Sequence, residues 1–316
     1  MSNISKNSKI YIAGHRGMVG SACWDMLKKN GYKNLVGRSS KQLDLRNQLD
    51  LDDFISKQKP DLIINAAGKV GGILFNLNNN LNSILDNNLI GLNLIRSSIS
   101  NDIKYLLNIS SSCIYPNNID RPIKEDDLLT GGIEQTNEGY ALSKINVMKT
   151  CQYIDKDQNE FLYKTIIPCN LFGVNDNFDS QTSHLIPGVI SRIHTAKTNG
   201  LSTVDMWGDG NARREFMFVE DLANFVLQAI NKNFSKLPSF TNVGYGKDYS
   251  IKEYYTKISE VIGYKGGFIM DKSKPTGMKR KLIDSSVAYQ LGWKPIYKIE
   301  EGLNKTYQHY LTKINE

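Results

Sequence analysis

Apolar residues along this chain fall into short unbroken runs, separated by stretches in which apolar positions recur three and four apart. The runs Lys9–Ala13, Asn34–Gly37, Asp61–Ala67, Tyr105–Ser110 and Lys164–Pro168 predict strands, and the spacing over Met18–Asn30, Gln48–Lys59, Leu81–Ser100 and Tyr140–Ile154 predicts helices. Strands that are apolar throughout, rather than at alternate positions, are covered on both faces. Their alternation with helices predicts an α/β fold with a doubly wound parallel sheet. After about Asn170 the pattern loosens into longer loops, isolated helices and short strands such as Thr241–Val243. Residues 1–170 therefore read as one domain. Residues 171–316 read as mainly a smaller lobe, with segments returning to the sheet.

The first run leads into Gly14-His15-Arg16-Gly17-Met18-Val19-Gly20, which opens the first helix. Glycines at this spacing allow a tight turn, close approach of the backbone to a phosphate, and close helix–strand packing. The helix N-terminus then presents free N–H groups to a pyrophosphate. Between a strand and a helix, this is a dinucleotide-binding loop, so 1–170 is read as a Rossmann domain. The second strand ends in Val36-Gly37-Arg38-Ser39-Ser40, with no acid to hold a ribose 2′-hydroxyl. Arg16 and Arg38 can instead face a 2′-phosphate, which predicts NADP(H). Asp44 and Leu45 are placed to flank the adenine. Ala66, in the small-residue end of the third strand, lies where the cofactor must pass. Asn87 reads equally as a core amide or as support for the site.

Composition narrows the picture by exclusion. With 40% hydrophobic and 22% charged residues the chain is globular, and no apolar run approaches the about 20 residues needed to cross a bilayer. No membrane contact and a cytoplasmic location are expected. Four scattered cysteines, Cys23, Cys113, Cys151 and Cys169, form no metal or disulfide pattern. The net charge of +7 is spread without a basic block, which argues against nucleic acid and suits phosphate-bearing ligands. His15 and His194 read in isolation as structural, His309 as exposed, and Arg280 and Lys281 as surface charges.

Tyr140 and Lys144 stand one helical turn apart on one face. An ammonium beside a phenol is expected to lower the phenol's pKa toward neutrality and equip it as proton donor to a carbonyl receiving hydride. Ser110-Ser111-Ser112-Cys113-Ile114-Tyr115-Pro116 begins at the end of the fourth strand, where ligands of open α/β sheets bind. A Ser hydroxyl there can bond the same carbonyl.

Together the glycine loop, the serine cluster and Tyr140/Lys144 resemble the extended short-chain dehydrogenase/reductase superfamily over essentially the whole chain. The strings Ala13–Ser21, Lys69–Ile73, Ser111–Pro116, Asp176–Phe178, Ser183-His184, Arg214–Phe216 and Ser273–Pro275 are similar to those of the GDP-L-fucose synthase family. That resemblance implies epimerisation of a GDP-4-keto-sugar at C3 and C5, followed by reduction of C4 with NADPH. It assigns reduction to Ser111, Tyr140 and Lys144, and proton transfer to Cys113 and His184. It places Ile109, Ser110, Ser111, Ser112, Lys144, Ile167, Pro168, Cys169, Asn170 and His184 at the cofactor. Arg192, Trp207, Arg214 and Asp271 fall at the substrate. It also implies a homodimer through the helices at 81–100 and 140–154.

The chain departs from the family at Gly139, at Asn108-Ile109-Ser110 and at Val174-Asn175. Two alternatives therefore stand beside the first reading. One is a C4 reductase of another GDP-4-keto-sugar such as a heptose, with or without epimerisation. The other is a non-catalytic NADP-sensing regulator on the same fold.

Overall fold

The computed structural model describes residues 4–158, 160–179, 182–273 and 277–315. The N-terminal half alternates as expected: β1 (Ile10–Ala13), α1 (Met18–Lys29), β2 (Leu35–Val36), α2 (Gln48–Gln58), β3 (Leu62–Asn65), α3 (Ile73–Asn78), α4 (Asn80–Ser100), β4 (Tyr105–Ile109), α5 (Glu138–Asp157) and β5 (Leu162–Pro168). Then come β6 (Asn170–Phe172), α6 (Leu185–Thr198), β7 (Thr203–Trp207), β8 (Arg213–Phe218), α7 (Val219–Gln228) and β9 (Phe240–Val243). The chain closes with β10 (Asp248–Ser250), α8 (Ile251–Ile262), β11 (Gly267–Asp271), β12 (Arg280–Lys281), α9 (Ser286–Gln290) and α10 (Ile299–Ile314).

One six-stranded sheet, in the order β2-β1-β3-β4-β5-β9, is parallel throughout. Strand order reverses between β1 and β3, the position at which such sheets bind ligands beyond the strand C-termini. Ile10, Ile12, Leu62 and Ile64 pack to one face, and Tyr11, Ala13 and Ile63 to the other. These strands are buried on both sides because helices cover both. α1 meets the first face with Gly20, Cys23 and Leu27, and removing a side chain such as Leu27 from water is worth roughly 2 kcal/mol. α4 and α5 cover the second.

The C-terminal half divides. α6, α8 and α10 build a separate core with β7 and β8, around Val189, Tyr254 and Leu303. β9 instead joins β5 in the main sheet, while Phe225 of α7 and Trp293 enter the first core. His309, expected at the surface, is half-buried, because its helix lies against the second core.

Two departures from the family pattern have local physical reasons. A Cβ at Gly139 would lie 2.2 Å from the Asn80 carbonyl oxygen, so the start of α5 touches the start of α4 at a distance only glycine allows. Asn108 is fully buried in the sheet. Its Oδ1 accepts from Asn65 Nδ2 at 3.0 Å and its Nδ2 faces Thr165 Oγ1 at 3.4 Å, a polar rung across β3, β4 and β5. It stabilises strand register and does not line the site.

Candidate active site

The loop between β1 and α1 turns back on itself, Gly17 N donating to Gly14 O at 2.9 Å with Gly14 at φ +79°. A Cβ at Gly20 would stand 2.2 Å from Gly14 O, so any side chain there would push the helix off the loop. No side chain caps α1 and no acid lies in its first turn. Its free N–H groups and positive dipole end therefore fit a pyrophosphate. Met18, Val19 and Ala66 form the adjoining wall of a cleft of about 410 Å³.

Arg16 and Arg38 are exposed, and Arg38 donates to Gly37 O at 2.9 Å with its guanidinium 5.4 Å from the Phe54 ring centroid. Both arginines disfavour the protonated form of His15, whose pKa is lowered first by burial and then by these two charges. The imidazole itself packs against Gly37 at the end of β2. Asp44 accepts from Arg46 Nη2 at 2.7 Å and Nε at 3.0 Å, bonds that hold its carboxyl down at about 2. Leu45 packs against the second face of the sheet.

Beyond β4, Ser111 begins a single 3-10 turn over Ser112–Ile114, its Oγ facing Cys113 N at 3.4 Å. α5 brings Tyr140 and Lys144 alongside. Lys144 Nζ donates to Ile109 O at 3.0 Å and lies 5.6 Å from the Tyr140 ring centroid. Asn87 is both of the things its position suggested. It is buried and satisfied, and by accepting from Lys69 N at 2.8 Å it holds the Gly68–Lys69 backbone near Lys144. Ser110 Oγ is buried without a hydrogen-bond partner among the described residues.

The electrostatics correct one expectation. Tyr140 is not drawn toward neutrality: burial, with Cys113 adding to it, pushes the phenol above its ordinary value. Burial also lowers Lys144 to about 8. The ammonium is turned to the Ile109 carbonyl, and burial penalises the phenolate. The phenol is therefore held protonated, as a proton donor must be. Burial raises the Cys113 thiol, an effect opposed chiefly by Lys281. Burial lowers His184, which stands at the N-terminus of α6. The cleft thus sets a protonated thiol and a neutral imidazole among its walls.

Arg192, Trp207 and Arg214 line the far end of the same cleft. Arg192 donates to the Tyr255 hydroxyl at 2.8 Å, with its guanidinium 5.3 Å from the Trp207 ring centroid. Arg214 donates to Arg213 O at 2.8 Å. Of the residues that the family resemblance assigns, three do not reach the wall. Ile167 and Ser112 are buried in the sheet and the turn behind it, and Asp271 turns its carboxylate to Ser273 N and Oγ at 3.0 and 2.6 Å. Lys274 and Pro275 lie outside the described residues. Lys281, read as a surface charge, is a wall residue, because β12 pairs with β8 and sets it level with Arg214. Tyr255 and Ile73 also line the cleft and were not singled out. The string Lys69–Ile73 carried a signal for the second, but nothing in spacing marked Tyr255.

Among the described residues no acidic, His or Cys cluster could hold a metal, and no helix is long and apolar enough to cross a membrane.

A doubly wound sheet with this cradle and this serine–tyrosine–lysine group defines an extended short-chain dehydrogenase/reductase that depends on a nicotinamide dinucleotide. The chain belongs to the NAD dependent epimerase/dehydratase family, whose sequence model matches residues 10–244. It is 48% identical to GDP-L-colitose synthase of Yersinia pseudotuberculosis, over 97% of this chain and 99% of the relative. It is 45% identical to GDP-L-fucose synthase of Azorhizobium caulinodans, over 98% of both. Its fold is similar to that of GDP-mannoheptose C4 reductase from Campylobacter jejuni with NADP bound, at a TM-score of 0.88 and 30% identity over 98% of this chain and 100% of that one. The resemblance to GDP-L-fucose synthases read from short strings thus holds over the whole chain.

Proposed function

We propose that the protein reduces a GDP-4-keto-sugar at C4 with NADPH after epimerising it at C3, C5 or both. The observation that carries this reading is one cleft lined at once by Ser111, Tyr140, Lys144, Cys113, His184, Arg192 and Arg214. The C4 ketone acidifies the hydrogens on both neighbouring carbons, since each carbanion is an enolate. His184, kept neutral by burial, removes a proton, and Cys113, kept as the thiol, returns one to the opposite face. Ser111 and Tyr140 bond the C4 oxygen and stabilise the enolate. NADPH, which the Gly14–Gly20 cradle would hold, would supply the hydride to C4. Tyr140 then gives the alkoxide its proton, and Lys144, beside the phenol, would help hold the cofactor. Arg192 and Arg214 grip the diphosphate, with Trp207 as a flat wall.

The glycine cradle, with Arg16 and Arg38 around the end of β2, favours NADPH over NADH. The relatives' substrates and the heptose reductase's fold leave the sugar as the variable between the two enzyme readings. The deciding experiment incubates the protein with GDP-4-keto-6-deoxymannose and, separately, a GDP-4-keto-heptose in D2O, with NADPH or NADH, and identifies products by NMR. Turnover of the first with NADPH, with deuterium at C3 or C5, is expected. Reduction of the heptose alone, without deuterium, would move the assignment to a C4 reductase, and cofactor binding without turnover would move it to a regulator.

The reading extends to a homodimer. Leu81, Leu85 and Leu89 form an exposed apolar row on α4, beside exposed Leu142 and Tyr153 on α5. Such a row is costly in water and fits a second copy of the same helices. Sedimentation of the intact chain is expected to give the mass of two chains, and a monomer at micromolar concentration would exclude this.

A further inference from the structure

Cys113 rides on a turn of three residues whose cap, Ser111 Oγ to Cys113 N at 3.4 Å, is long. A proton-transfer group on so short a turn needs another anchor. Two residues on, Tyr115 is almost wholly buried, and its hydroxyl donates to Asn242 Oδ1 at 2.7 Å. Asn242 stands on β9, fully buried in the main sheet. Its Nδ2 donates to Ile123 O at 3.0 Å, and its backbone N–H donates to Glu125 Oε1 at 2.8 Å.

The network continues toward the other end of the cleft. Ile123 N donates to Leu282 O at 2.9 Å, and Asp284 N donates to Ile123 O at 2.8 Å, so the loop carrying Ile123 runs beside Ile283. Ile283 N donates to Glu215 Oε2 at 3.0 Å, and Gly246 N to Glu215 Oε1 at 2.7 Å. Glu215 is buried next to Arg214 in β8. Hydrogen bonds, mostly buried and continued through the Ile283–Asp284 backbone, therefore join the turn that bears the thiol to the strand that bears Arg214. Buried networks of this kind are rigid when every member is paired.

We propose that Tyr115, through its bond to Asn242, is a positioning residue for Cys113: it fixes the thiol against the sugar while Arg214, on the same network, fixes the diphosphate. The proposal rests on the assignment of Cys113 to proton transfer. Tyr115 touches neither substrate nor cofactor, so its removal acts on epimerisation through the turn and leaves the hydride step alone.

Tyr115→Phe removes only the hydroxyl. Deuterium uptake into GDP-4-keto-6-deoxymannose without NADPH is expected to fall about ten-fold or more, since small misplacements of a reacting group carry losses of that order. C4 oxidation of GDP-L-fucose by NADP, the hydride step in reverse, is expected to stay within about two-fold, with KM for the nucleotide sugar unchanged. A second variant separates positioning from stability. In Tyr115→Phe/Asn242→Leu both partners are apolar, which removes the unpaired amide, and Ile123 O keeps Asp284 N as donor. Its thermal midpoint should recover toward wild type while deuterium uptake stays low. Uptake that recovers with stability, or oxidation that falls equally, overturns the positioning role. Cys113→Ala measured alongside distinguishes the two failures. Uptake intact there overturns the thiol assignment and this proposal with it. Uptake lost there but intact in Tyr115→Phe overturns the positioning role alone.

Discussion

Tyr140→Phe is expected to lower NADPH oxidation with the keto-sugar by about 10²–10⁴-fold, the range over which a positioned general acid contributes. The change removes one oxygen and keeps the ring, which is 8% exposed and packed in the first core. Fold and cofactor affinity should therefore survive, and NADPH fluorescence titration should give a Kd within a few-fold of wild type. The loss would fall on kcat, because the phenol's proton is needed only as the carbonyl becomes an alkoxide. Burial holds this proton in place at neutral pH, and the nearest cation, Lys144, is turned to the Ile109 carbonyl. A variant that retains more than a tenth of wild-type kcat would show that another group supplies the proton.

Cys113→Ala should lose deuterium incorporation at C3 or C5 by about 10²-fold or more, and spare C4 oxidation of GDP-L-fucose by NADP. The thiol is 6% exposed, and its removal leaves a cavity of one sulfur atom beside Ser111, so little of the fold depends on it. Residual exchange would come from His184, which can return deuterium to the face it deprotonates, without inversion. Unchanged uptake at both carbons, read by NMR, would remove the thiol from the mechanism. Loss of oxidation in parallel would instead mean that the turn had collapsed around Ser111.

The same residues show how far a sequence reading carries. Apolar runs marked the five strands of the N-terminal half to within one or two residues, because a strand covered on both faces has no alternation to obscure it. β9 was seen as a short strand, yet its place at the edge of β5 depends on a return across about seventy residues that no local pattern encodes. The short helix α3 was missed, since six residues leave no period to read. Of the site, the glycine loop and Tyr140/Lys144 were legible because one turn of backbone fixes their spacing. Lys281 was misread as a surface charge, and Tyr255 went unnoticed, because each enters the cleft from a strand or helix whose partner lies far along the chain.

The sequence by itself determined the α/β class, the dinucleotide cradle, and the residue types available for hydride and proton transfer, all of them properties of local spacing. Tertiary structure alone decided the electrical state of those residues. It set Tyr140 protonated rather than near neutrality, and Lys144 near 8. The reason is that desolvation and hydrogen-bond partners belong to the packed interior, and a chain read residue by residue has no interior.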